Sequence, residues 1–257
     1  MTEDDHPITI AATADLHYDH SSKGLWKELF VQASRSADVL LICGDLTDYG
    51  LDEEAHLLAD DLIAHCRIPV VAVLGNHDYE SNRVTEISKI LEAAGVHLLS
   101  GSCVEIRGTG FVGTHGFGGG FGARMLNAWG EPATKAFVQE SVEQALHLER
   151  ALARLDTAYK IALLHYSPIR ETVMGENPEI FPFLGSTRLE GPLNRFPVDA
   201  VFHGHAHNGA HEGRTSGGTP VYNVSASVLR RLRPGQPPFV LFTPSRVSMG
   251  RETEVAI

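Results

Sequence analysis

The apolar positions of this chain fall into short runs separated by stretches with helical spacing. Ile8 to Ala14, Val39 to Cys43, Val70 to Leu74, Ile161 to Leu164 and Ala200 to Phe202 are runs of this kind. A continuous apolar run bounded by polar residues is the pattern of a strand buried on both faces. Between the early runs, Leu25, Leu29 and Ala33 recur at helical spacing on a segment opened by Ser21 and Ser22. Leu51, Ala55, Leu58 and Leu62 mark a second helix with Asp52, Glu53 and Glu54 in its first turn, where acids suit the helix dipole. Val84, Ile87, Leu91 and Ala94 mark a third, stopped by Gly95, and Val96 to Leu99 reads as a short strand.

The pattern changes after this point. Cys103 to Thr114 predicts two short strands broken at Gly108 and Gly110, followed by the glycine-rich run Gly116 to Gly122. Lys135 to Leu155 is the longest predicted helix, with Phe137, Val142, Ala145, Leu148, Leu152 and Leu155 on one face. Ser167 to Phe196 is rich in proline and glycine and reads as a long connection holding one short helix near Thr187 to Arg195. Strands follow at Val221 to Val224 and Phe239 to Phe242, with a last one near Glu252 to Ile257. Strand–helix alternation first, and antiparallel-looking strands later, predict an α/β (α+β) fold. Its form is a double β-sheet sandwich flanked by helices, in a single domain over 1–257.

The residues just past each buried run carry the chemistry. Asp15 and His17 come after the first, and Gly44 with Asp45 after the second. Gly75, Asn76, His77 and Asp78 come after the third, and His165 after the fourth. His203, Gly204, His205 and His207 come after the fifth. Sites in open α/β sheets lie at the carboxyl ends of strands, and a buried strand holds its terminus rigidly. The donors Asp15, His17, Asp45, Asn76, His165, His205 and His207 form a hard-to-borderline set suited to Mn, Fe or Zn. No cysteine stands in a ligand position, which disfavours a structural zinc site. Seven donors exceed the needs of one ion. A carboxylate can bridge two ions about 3.5–4 Å apart, and Asp45, on the central strand, is the natural bridge.

Composition narrows the partners. The chain has 257 residues and a formal net charge of −11, which argues against tight binding of long nucleic acid. No run is long enough for a membrane helix, the acidic start enters a strand directly, and three unpaired cysteines read as reduced, mostly buried thiols. A cytoplasmic protein is expected.

Asp15-Leu16-His17, Gly44-Asp45, Gly75-Asn76-His77-Asp78, His165 and Gly204-His205-Ala206-His207 resemble, in order, the signature of the calcineurin-like metallophosphoesterases. The match spans residues 15 to 207. The resemblance implies a double-sheet sandwich and a dinuclear site of two divalent or trivalent metal ions. Asp15, His17, Asp45 and His207 would hold the first ion, and Asp45, Asn76, His165 and His205 the second. A bridging hydroxide would attack phosphorus. His77 would meet the substrate as general acid, with Asp78 orienting it. The Ser/Thr protein phosphatases carry an arginine soon after the second motif, and here Asp48-Tyr49 stands there instead. The pattern is closer to small bacterial phosphodiesterases, including those acting on cyclic nucleotides. A small phosphate-ester substrate is therefore expected; a phosphomonoesterase, pyrophosphohydrolase or nuclease on the same site, or a non-catalytic metal-binding scaffold, are the rival readings.

Other residues near these motifs have plainer readings. Asp48 reads as a turn cap, His203 as either core or support for the site, and His20 and His115 as loop residues. The Gly116 to Gly122 run reads as a flap or turn rather than a phosphate cradle. Arg170, Arg188 and Arg195 read as solvated surface.

Overall fold

Aliphatic side chains on both faces of a strand need a covering layer on each side, and a computed structural model describing residues 7–245 supplies both. One sheet has the order β11-β1-β2-β3-β4, from Val240–Phe242 (β11), Ile10–Thr13 (β1), Val39–Cys43 (β2), Val70–Val73 (β3) and Val96–Leu98 (β4). Strands β1 to β4 run parallel, with β11 antiparallel at the margin. The second sheet has the order β5-β6-β7-β8-β10-β9, from Ser102–Ile106 (β5), Thr109–Gly113 (β6), Tyr159–Leu163 (β7), Ala200–His203 (β8), Glu212–Arg214 (β9) and Pro220–Asn223 (β10). Its inner strands are parallel, and only β5–β6 and β9–β10 are antiparallel. The antiparallel pairing expected among the later strands is thus confined to β5–β6, β9–β10 and β11 beside β1. The long helix and the long connection act as crossovers, which parallel neighbours require.

Period-two alternation sorts the strand residues into three apolar layers. Leu40, Ile42, Val70 and Ala72 face helices α1 (Lys27–Ser36), α2 (Asp52–His65) and α3 (Val84–Ala93), meeting Phe30, Leu58 and Leu91. Leu41, Cys43, Val71 and Val73 face the other sheet, where they join Phe111, Leu163, Phe202 and Tyr222. Val112, Ala162, Leu164 and Val201 face outward again, onto α4 (Pro132–Leu152) and α6 (Glu190–Arg195) through Leu148, Leu152 and Leu193. The result is a helix–sheet–sheet–helix sandwich, as the run pattern predicts.

The differences have physical causes. Helix α4 starts at Pro132, whose missing N–H suits a first turn, and closes at Leu152, after which a tight turn from Leu155 N to Leu152 O ends it. Its buried face carries Val138, Ser141, Gln144 and Leu148, so two polar residues lie inside the stripe while Val142 is only half-buried. The long connection holds α5 (Phe181–Leu184) as well as α6. A seventh helix, α7 (Ala226–Leu232), is too short for its periodicity to stand out, yet it buries Val228 and Leu229. The cysteines are free, but only Cys43 is fully buried. The strand expected near Glu252 to Ile257 lies outside the described residues.

Leu41 is fully buried between the two sheets. Leu41→Ala is expected to lower the unfolding free energy in urea by about 2–5 kcal/mol, the range for a leucine lost from a close-packed core. A loss under about 1 kcal/mol would mean that the sheets do not pack on this layer.

Candidate metal centre

The chain leaves its strands at the centre by an unusual backbone route. Asp15, His17, Asp45 and His205 all have positive φ, at 59°, 45°, 47° and 68°. Non-glycine residues enter this region rarely, and each such conformation costs on the order of 1–3 kcal/mol. Backbone hydrogen bonds hold the route in place: Asp15 N donates to Gly44 O and His17 N to Asp45 O, both at 3.0 Å. Gly75 is required by close approach, because a Cβ there would collide with the Asp45 carboxylate and the His165 ring.

These loops bring the seven candidate donors to one place. Ligand atoms of Asp15, His17, Asp45 and His207 lie within 4.8 Å of one another, and so do those of Asp45, His165 and His205. Asp45 belongs to both groups, and His17 also falls in a third with Asp48 and His77. Asn76 joins the second, with Oδ1 2.9 Å from His165 Nε2. His207 Nε2 is 3.6 Å from Asp15 Oδ1, and His17 Nε2 is 3.7 Å from Asp45 Oδ2. His205 donates its backbone N–H to Asp15 at 3.0 Å, while its Nε2 lies 3.1 Å from Phe183 O.

The electrostatics call for cations. Asp15 and Asp45 are 4% and 1% exposed, and among the described residues their only ion-pair partners are histidines. Burial pushes the Asp45 carboxyl well above its usual range, and the Asp15 charge pushes it further. Burial also opposes ionisation of Asp15, but the His207 ring beside it, 3.6 Å away, holds its carboxyl low. Burial holds His165 far below the usual histidine value, so the ring is neutral. Its Nδ1 faces Cys43 O at 3.0 Å, and a carbonyl can only accept, so Nδ1 carries the hydrogen. The lone pair on Nε2 then points at Asp45 Oδ1, 3.4 Å away. The same lone pair also faces Asn76 Oδ1 at 2.9 Å, and an amide oxygen offers no hydrogen, so a proton on the Asp45 carboxyl or a cation among these atoms is needed to make the cluster attractive. The donor set fits metal ions on this ground.

The pair His77–Asp78 is arranged differently from the expectation. Asp78 is buried and accepts from Gly75 N, Thr47 N, Thr47 Oγ1 and Leu46 N, at 2.6–3.2 Å. It ties the second and third motif loops together and does not orient His77. Asp48 does so instead: His77 Nδ1 lies 2.6 Å from the Asp48 carbonyl and 3.7 Å from its carboxylate. The same carboxylate is 3.1 Å from His17 Nδ1, so Asp48 holds two histidines of the centre and is more than a turn cap. Its spacing of three residues from Asp45, across one turn, was the available signal. Asn223 was also missed. Its amide donates to Ala206 O at 2.7 Å and fixes the loop that carries His205 and His207. His203 is buried core, linking Gly204 O and Thr172 Oγ1 at 2.8 Å each.

The remaining candidates lie outside the donor groups. His20 is exposed. Arg170 lies over the Phe181 ring, Arg195 pairs with Glu149, and Arg188 donates to Leu126 O. Gly119 N and Gly120 N are spent on Pro182 O and Gly185 O, so neither is available to a phosphate. His115 lines a recess beside Asn76, and burial lowers its pKa to about 4.

A helix-flanked double sheet with paired His/Asp groups at the strand ends is the arrangement of a metal-dependent hydrolase. The chain belongs to the calcineurin-like phosphoesterase family, whose profile matches residues 8–209, and is thus a metal-dependent phosphoesterase. Members typically hold a dinuclear metal centre, for which the two groups are the candidate ligand clusters. Its fold is similar to that of the phosphopantetheinyl hydrolase (PptH) from Mycobacterium tuberculosis. That likeness has TM-score 0.68 and 17% identity over 93% of this chain and 96% of that one. It is also similar to TT1561 of Thermus thermophilus, with TM-score 0.54 and 18% identity over 87% and 91% of the two chains. No curated protein matches the chain by sequence. Among the described residues, no helix is long and apolar enough to cross a membrane.

The raised Asp45 carboxyl gives a pH-dependent expectation for the metal-free protein. The folded state binds this proton more tightly than the unfolded chain does. The resulting stability is fully present below the unfolded value of about 3.9 and is lost as pH rises through the folded value. Asp45→Asn keeps an acceptor for His77 N and removes the buried charge. In chelator near pH 7.5 it is expected to raise the thermal midpoint by a few degrees, at roughly 2–4 °C per kcal/mol relieved. That gain should shrink toward pH 4. A midpoint lowered equally at both pH values would contradict the assignment of an uncompensated charge.

Proposed function

We propose that the protein is a dinuclear phosphodiesterase acting on a small, nucleotide-type ester. The observation that carries the dinuclear part is the membership of Asp45 in both ligand groups. Asp15, His17, Asp45 and His207 would hold one ion, and Asp45, Asn76, His165 and His205 the other. When bound, such ions supply Lewis acidity toward a phosphoryl group and a nucleophile from water at neutral pH.

The protein's own groups do the rest. Asp48 fixes the His77 ring through Nδ1, which leaves Nε2 as the atom to carry a proton to the departing oxygen. Asn223 and Asp78 keep the loops around the centre in register. The diester reading is supported by two recesses that meet at Asn76, Phe117 and Tyr166. One measures about 490 Å³ and the other about 190 Å³. A diester has two organic arms to place and a monoester has one. The net charge of −11 weighs against long nucleic acid as substrate. A hydrolysis screen of protein reconstituted with Mn, Fe or Zn tests the reading. Cyclic and linear diesters are expected to exceed monoesters and pyrophosphates in kcat/KM, and the reverse order would overturn it.

Two further outcomes are expected. Elemental analysis should find about two ions per chain, with both lost in Asp45→Ala and mainly one weakened in His207→Ala. Full occupancy in the Asp45 variant would remove the bridge. His77→Ala should keep both ions yet lose about 10²–10⁴-fold in rate on a ribose or alkyl leaving group. On a nitrophenolate, which departs without a proton, the loss should be much smaller. Equal losses on both would leave His77 as a phosphate-binding group only.

A further inference from the structure

The larger recess beside the centre has a chemistry of its own. Its walls include Tyr79, Phe117 and Tyr166, and its far side is formed by Glu140, Gln144 and His147 of α4. At about 490 Å³ it is large enough for a nucleoside-sized group. No lysine or arginine lines it or the smaller recess.

One polar element in this recess is built with care. Gln144 is 6% exposed, on the buried face of α4 where an apolar residue is expected. Both ends of its amide are spoken for: Oε1 accepts from Thr114 Oγ1, and Nε2 donates to Glu140 Oε1 at 2.7 Å. Turning the amide over would set its oxygen against the Glu140 carboxylate, so the donor direction is fixed. Thr114 follows directly on β6, so the relay runs from the sheet to the recess. The second oxygen, Glu140 Oε2, makes no hydrogen bond among the described residues. Glu140 is thus a half-exposed acceptor held through Oε1, which also lies 3.9 Å from His115 Nε2, with Oε2 open to the recess that shares Asn76 with the donor cluster.

Such an acceptor discriminates by charge. A hydroxyl or amide N–H gains a charge-assisted hydrogen bond, worth more than a neutral one. A second phosphate there would meet the Glu140 carboxylate and no lysine or arginine. We propose that this recess takes one arm of the ester, an uncharged organic group carrying hydrogen-bond donors that Glu140 accepts, and rejects an arm ending in another phosphate. The assignment rests on the phosphodiesterase reading above and specifies its substrate class.

Three nitrophenyl diesters offered to the metal-reconstituted full chain test it. They are the nitrophenyl ester of thymidine 5′-phosphate, the same ester with an added 3′-phosphate, and bis-nitrophenyl phosphate. The first is expected to exceed the second in kcat/KM by about tenfold or more, the size of one lost hydrogen bond to a charged group. Glu140→Gln should lower the ratio of the first to the third by about 10–100-fold, mainly through KM. Glu140→Lys should reverse the order of the first two. Equilibrium dialysis of thymidine, in chelator, gives a readout without turnover, and binding should weaken in Glu140→Gln. If the diesters are cleaved but the ratios and thymidine binding are unchanged in both variants, the assignment is overturned. If no diester is cleaved, the phosphodiesterase reading fails and dialysis decides: weakened binding in Glu140→Gln upholds the recess, and equal or absent binding overturns it.

Discussion

Two carboxylates buried side by side at the strand ends are the constraint on which the rest of this structure depends. Asp15 and Asp45 are both buried, and no lysine or arginine among the described residues pairs with either. Two unit charges about 4 Å apart repel by roughly 4 kcal/mol at an effective dielectric of 20. A relaxed chain would turn them apart. Here the left-handed backbone at Asp15, His17 and Asp45 and the hydrogen bonds between their loops prevent that. Strain of this sort persists only where the surroundings over-determine it, and parallel strands buried on both faces are such surroundings. The fold stores an unfavourable arrangement that cations relieve.

The centre is also where the two sheets are joined. Asp15, Asp45 and Asn76 follow strands of the first sheet, whereas His165, His205 and His207 follow strands of the second. The joining bonds cross between them: His165 Nδ1 to Cys43 O, and His205 N to Asp15. The spacing between the donor groups is therefore set by the apolar layer beneath, from Leu41 and Val73 to Phe111 and Phe202. Packing at this layer is geometry for the site as well as stability for the chain.

The strands and the convergence of the candidate donors at their ends were legible in the sequence because both follow from strong local signals. A run buried on both faces has no polar interruptions, and donors just past its end are displayed by the same rigidity. Other features depend on partners distant in the chain. That the second sheet is mainly parallel comes from how β6, β7, β8 and β10 lie side by side, which no local pattern encodes. The exchange of roles between Asp48 and Asp78 is of the same kind. Adjacent to His77 in sequence, Asp78 is turned away by a single 3-10 turn and spends its oxygens on Thr47, Leu46 and Gly75. Asp48, distant in sequence, reaches His77 because its loop lies alongside. Neighbours in a tight turn point apart, so adjacency was a poor guide there. The seven-residue α7 fell below the length at which periodicity can be seen.

The stripe of α4 failed for a more informative reason. Sequences depart from their own local rules mostly where function or strain requires it. On this helix the departures are Ser141 and Gln144, inside a face that otherwise buries Val138, Leu148 and Leu152. Apolar residues there would keep the stripe unbroken. They would also leave Glu140 without its fixed partner and the recess beside Asn76 without a polar wall. Below this turn α4 serves the core, and at it the helix serves the substrate side. A dinuclear centre of the kind proposed would grip the phosphoryl group of any ester. Discrimination among esters has to come from groups that touch the organic arms, and the broken stripe of α4 is where this chain places one.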